Sequence, residues 1–135
     1  MVAIQVEYQG DLHCKAVHGP SSTELNTDAP KDNQGRGESF SPTDLVATAL
    51  ATCMMTIMGI QAKKMEIDLR GSTAVVTKEM SPDLPRRISH LAVTFNIPLK
   101  LNDEQKQKLQ NAAMTCPVHK SLHPDVQSPV VFKWG

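Results

Sequence analysis

The segment from Ser41 to about Lys63 constrains the fold more than any other part of the chain. Ser41 can cap a helix, Pro42 suits its first position, and Asp44 complements the positive end of the helix dipole. Val46, Ala49, Cys53, Ile57 and Ile60 then recur at spacings of three and four, which predicts one apolar face along a long helix. Cys53 lies in the middle of that face, so its thiol should point into an interior or an interface. The most apolar part, Leu45 to Ile60, is shorter than the roughly 20 residues that span a bilayer and is diluted by Thr and Ala. No membrane anchor is expected.

Before this helix the pattern is β. Val2 to Tyr8 and Leu12 to Val17 read as two strands around a hairpin turn at Gln9-Gly10-Asp11, with a weaker third strand near Ser22 to Asn26. Asp28 to Ser39 is polar and contains Pro30, Gly35 and Gly37, which predicts a loop. After the helix, Ile67 to Glu79 and Arg86 to Ile97 read as an antiparallel hairpin, with alternation clearest in Ile88, His90, Val93, Phe95 and Ile97. Asn102 or Asp103 starts a second helix through Ala113, with Leu109, Ala112 and Ala113 inward. Pro117 opens a short third helix, Val118 to Leu122, and Val130 to Trp134 closes the chain as a strand.

An α+β architecture in one domain over residues 1–135 follows, since 135 residues, 40% apolar and 21% charged, can bury a core. The 14 basic and 14 acidic residues cancel without a run of one sign, so neither nucleic acid nor an anionic membrane is an expected partner. The first residues, MVAIQVEYQGD, lack the basic cluster and apolar stretch of a secretory signal, and a cytoplasmic location is the expectation. Cys14, Cys53 and Cys116 are odd in number and widely spaced, unlike a secreted disulfide framework or a zinc ribbon.

A reactive cysteine needs positive charge or oriented donors, because only the thiolate is a good nucleophile and an ordinary thiol has a pKa of about 8.5. Cys116 stands where a helix N-cap belongs, with the amides after Pro117 available to it. Arg36, in the polar loop, is the cation that could fold over Cys53. Cys14 reads as core beside Leu12 and Ala16, and Met54, Met55 and Met58 read as packing. A competing reading uses Cys116, His119 and His123 as a C-x2-H-x3-H metal set, with Cys53 as a fourth ligand.

The stretch RGESFSPTDLVATALATCMMTIMG around Cys53 and the later CPVHKSL from Cys116 resemble the two cysteine motifs of the OsmC/Ohr family of hydroperoxide-reducing proteins. With PTDL upstream of the first cysteine, the chain is most similar to the OsmC-like subgroup. The resemblance implies a two-layer fold of antiparallel sheets and a long central helix, forming an intertwined homodimer. It implies that Cys53 is the peroxidatic and Cys116 the resolving cysteine, that Arg36 holds thiolate and peroxide, and that no cofactor is needed. Thr43 stands ten residues before Cys53, where the family often has a glutamate that anchors the arginine, so Glu38 or Asp44 becomes the candidate anchor. Organic hydroperoxides are the implied substrates, favoured by Met54, Ile57 and Met58 if these line the pocket, and lipoyl-type dithiols are the implied reductants. An OsmC-fold redox sensor or small-ligand binder with little turnover is the alternative within the same fold.

Overall fold

The computed structural model describes residues 1–135. Two compact units share one long helix: Met1–Val46 and Ala47–Gly135.

In the first unit, β1 (Ile4–Tyr8), β2 (His13–His18) and β3 (Glu24–Asp28) form an antiparallel meander in that order. The first turn takes one residue more than the sequence suggests. Gly10, Asp11 and Leu12 all have positive φ (88°, 53° and 60°), and Gln9 N–H donates to the His13 carbonyl at 2.9 Å. Leu12 therefore belongs to the turn, and β2 begins at His13. Ser22, also left-handed at φ 60°, takes the second turn past the expected start of β3 and moves that strand to Glu24–Asp28. The sheet is thinly covered: β1 is exposed throughout and β2 is half-buried. Cys14 is consequently half-buried rather than part of a core.

The loop after β3 contains one short turn of 3-10 helix, Lys31–Asn33, and leads to α1 (Pro42–Lys64). The expected start of α1 is correct and is a reciprocal cap. Ser41 N–H donates to Asp44 Oδ2 at 2.9 Å, and Asp44 N–H donates to Ser41 Oγ at 3.1 Å. At the other end Glu66 is left-handed (φ 56°), and the amides of Glu66 and Ile67 donate to the carbonyls of Lys63 and Ala62 at 3.2 and 2.9 Å. This double closure is a Schellman stop. It carries the chain into a turn at Gly71 (φ 89°), so β4 begins at Thr73 and not at Ile67.

The 23 residues of α1 are long and apolar enough to cross a membrane by length and composition, which the shorter stretch Leu45 to Ile60 had suggested they would not be. Core helices of globular proteins meet the same criterion, and here Leu50, Met54 and Met58 are fully buried. The buried stripe is Ala47, Leu50, Ala51, Met54, Met58 and Ala62. The stripe marked out by the sequence, Val46, Ala49, Cys53 and Ile57, is only half-covered, and Ile60 is 52% exposed. The helix is apolar on adjoining faces, so periodicity alone could not choose between them.

The second unit holds a three-stranded sheet in the order β4 (Thr73–Met80), β5 (Ile88–Ile97), β6 (Val130–Trp134). β4 and β5 pair antiparallel, as expected, whereas β6 joins β5 in parallel, so this sheet is mixed. A parallel partner requires a crossover, and α2 (Asp103–Ala113) and α3 (Pro117–Ser121) supply it. Leu91, Val93, Phe95 and Ile97 form the buried face of β5. His90 lies off that face because it directly precedes Leu91, and neighbouring side chains in a strand point to opposite faces. Phe95 stacks on Phe132 with ring centroids 5.2 Å apart. Asn102 caps α2 in a reciprocal box with Gln105, and Leu109 and Ala113 are buried, while Ala112 is half-covered.

Candidate active site

Two of the three cysteines meet. Cys53 is carried midway along α1, on the half-covered stripe beside the core face, and is itself half-buried. Cys116 is fully buried at the N-cap of α3, where Pro117 occupies the first helical position. The position follows from local chemistry, since proline suits that position and the preceding residue becomes the cap. The amide of His119 donates to Cys116 Sγ at 3.4 Å.

Both thiols are free, and Cys53 lies close enough to Cys116 to influence its ionisation. Burial pushes the Cys116 thiol above its ordinary pKa, and the hydrogen bond and charge of Cys53 push the same way. The amides of His119 and Val118 oppose the shift without cancelling it. At neutral pH Cys116 is therefore a neutral thiol held against Cys53. Such a pair can form a disulfide once one sulfur is activated.

The other residues singled out by sequence have different surroundings. Arg36 and Glu38 are exposed in the loop of the first unit. Asp44 serves as the cap of α1, accepting from the Ser41 amide, and Thr43 lies 3.2 Å from Ser41 through its hydroxyl. The metal reading fails on geometry, because no three His, Cys, Asp or Glu side chains converge. His123 is turned to its own loop, accepting from the Asp125 amide at 3.0 Å. His119 contributes its backbone to Cys116, and its buried Nδ1 has no partner. Met54 and Met58 are fully buried. A groove instead runs along Ile57, Ile60 and Ala112, with Lys64 and Lys108 at its edge, starting one turn beyond Cys53. Sequence reasoning named Ile57 but not Lys64 or Lys108; the helical offset from Cys53 and Ile57 to Lys64 was the available signal.

The α+β fold thus sets a half-buried cysteine midway along α1 near a buried cysteine at the N-cap of α3. The chain belongs to the OsmC-like protein family, whose model matches residues 35–129 and so spans Arg36, Cys53 and Cys116. A crystal structure from Psychrobacter arcticus 273-4, described as a candidate osmotic stress induced and detoxification response protein, is 52% identical over 98% of this chain and 96% of that one, with a TM-score of 0.93. The organic hydroperoxide resistance protein OsmC of Legionella pneumophila is similar at 18% identity over 98% and 96%, with a TM-score of 0.75. An OsmC-like protein of Mycoplasma pneumoniae is similar at 16% identity over 99% and 96%, with a TM-score of 0.82. The last two likenesses are of fold. Comparison with curated proteins returns no match.

Proposed function

We propose that this chain is a two-cysteine peroxidase that reduces organic hydroperoxides. The observation that carries the reading is the pair of free cysteines that influence each other, Cys53 half-buried on α1 and Cys116 buried at a helix N-cap. Family membership supports it, as does the hydroperoxide resistance for which the Legionella protein is named.

Cys53, as thiolate, attacks the terminal oxygen of ROOH; the O–O bond breaks, ROH leaves after taking a proton, and Cys53 becomes a sulfenic acid. Arg36 stabilises the charge that develops on the leaving oxygen. Cys116 then attacks the Cys53 sulfur, its thiol proton leaves with the displaced hydroxide as water, and a disulfide remains. An external dithiol, of lipoyl type, exchanges with that disulfide and is itself oxidised. No cofactor enters the cycle. The groove over Ile57, Ile60 and Ala112 suits an apolar R group better than hydrogen peroxide.

The reading takes the working form as a homodimer in a reducing, cytoplasmic setting. The uncovered stripe through Ile57 and Ile60 and the exposed Ile4, Val6 and Tyr8 of β1 are apolar surfaces that a second copy would cover.

The test is one equivalent of cumene hydroperoxide added to reduced protein, quenched within seconds and followed by intact mass and peptide mapping. Loss of two hydrogens, located between Cys53 and Cys116, is the expected result. Unchanged thiols would remove the reading.

A further inference from the structure

The loop that carries Arg36 is fastened at its base by a part-buried hydrogen bond between His13 and Asp28. Asp28 ends β3 and is 2% exposed; its Oδ1 lies 2.6 Å from Nδ1 of His13, its directly opposed residue on β2. A polar side chain so buried needs a hydrogen-bond partner, and His13 provides it. Asp28 also closes the loop, because its amide donates to the carbonyl of Phe40 at 3.0 Å. The next residue, Ala29, donates to the Leu12 carbonyl at 3.1 Å, so both sides of the His13–Asp28 rung are tied across the same strand end.

From this rung the hydrogen bonds run directly to the neighbours of Arg36. Gly35 N–H donates to the Pro30 carbonyl at 2.9 Å, and Gly37 N–H donates to the Ala29 carbonyl at 3.2 Å. A Cβ at Gly35 would overlap the Ala29 carbonyl oxygen, and Gly37 is left-handed at φ 62°, so both positions call for glycine. Arg36 is thus held on both sides by the two residues that follow Asp28.

We propose that His13 and Asp28 are positioning residues for Arg36, and that their pairing sets the backbone from which the guanidinium acts. The inference rests on the peroxidase reading above. Without the imidazole, the Asp28 carboxylate turns toward water and draws Ala29 and Pro30 with it, releasing the carbonyls that hold Gly35 and Gly37. The arginine remains present but loses its fixed origin.

A double-mutant cycle with a proteolytic readout tests this. His13→Ala should speed tryptic cleavage after Arg36 and slow Cys53 oxidation by cumene hydroperoxide about tenfold, the cost of a misplaced group. His13→Asn, which keeps a donor near the Nδ1 position, should restore both. Arg36→Ala alone should slow oxidation about a hundredfold. In that background His13→Ala should slow it no further, because the histidine acts only through the arginine. Additive losses would overturn the proposal, since they signify a general structural role, and so would an unchanged cleavage rate in His13→Ala. Asp28→Asn, which keeps the hydrogen bond without the charge, should resemble His13→Asn and covers the case in which His13→Ala fails to fold. Wild-type protein that peroxide leaves unoxidised would defeat the peroxidase reading, whereas equal tryptic nicking of wild type and His13→Ala would defeat the clamp itself.

Discussion

Two substitutions on adjoining faces of α1 separate its core stripe from its uncovered one. Met54 is fully buried, so Met54→Ala should cost about 3 kcal/mol, within the ~2–5 kcal/mol range for large-to-alanine changes in cores. Unfolding entropy of about 2.1 cal/mol/K per residue gives about 0.28 kcal/mol per kelvin for 135 residues, so the melting temperature should fall by about 10 °C. Ile57, three residues further on, is half-covered in the single chain, and Ile57→Ala should cost about 1 kcal/mol at low protein concentration. If a second copy covers the Ile57 stripe, the wild-type melting temperature rises with protein concentration and the deficit of Ile57→Ala grows with it. Thermal unfolding followed by circular dichroism at two concentrations a hundredfold apart measures both effects. A Met54→Ala shift smaller than that of Ile57→Ala at the lower concentration would refute the assignment of the core face.

The cysteine pair gives three further expectations. Cys116→Ser should consume one equivalent of peroxide to give the sulfenic acid and, with peroxide in excess, a second that takes Cys53 to the sulfinic acid, read as a gain of two oxygens by mass spectrometry; clean multiple turnover would exclude Cys116 as the resolving thiol. Cys53→Ala removes two influences that raise the Cys116 pKa, so thiolate absorbance of Cys116 should appear at lower pH than in wild type; appearance at higher pH would contradict the assigned cause. The sign for stability runs the same way. The folded Cys116 pKa lies above its unfolded value, so its contribution is fully present below the ordinary thiol pKa of about 8.5 and is lost as pH rises through the folded pKa. Wild type should therefore lose more stability to denaturant between pH 8 and pH 10 than Cys116→Ser, and equal losses would show that Cys116 is not the group responsible.

Much of the fold is legible in the sequence because its boundaries are made by local chemistry. Ser41, Pro42 and Asp44 specify the start of α1, Asn102 the start of α2, and Cys116-Pro117 the start of α3, each through bonds within four residues. What misled the reading was decided by residues without a strong local rule. Leu12, Ser22 and Glu66 adopt left-handed backbone although none is glycine, and each displaces a strand by the residues its turn consumes. The core face of α1 was misread because Val46, Cys53 and Ile57 are as apolar as Leu50, Met54 and Met58, and only tertiary packing distinguishes them. The parallel pairing of β6 is likewise absent from local pattern, since it depends on where the α2–α3 crossover delivers the chain. At the site, the two cysteines were found through a family resemblance. The His13–Asp28 rung went unnoticed because a histidine and an aspartate 15 residues apart carry no motif until strand register opposes them.

The burial of Cys116 has a consequence for the order of events. In the resting pair the sulfur with access to the outside is Cys53, while Cys116 is kept protonated by burial and by Cys53 itself. On the proposed reading, peroxide would therefore meet one nucleophile rather than two competing ones. On the same reading, conversion of Cys53 to a sulfenic acid removes its raising influence on Cys116. The amides of Val118 and His119 then act on Cys116 against burial alone. The second thiol becomes easier to ionise at the step that needs it, and the hydroxide displaced from Cys53 is the base that receives its proton.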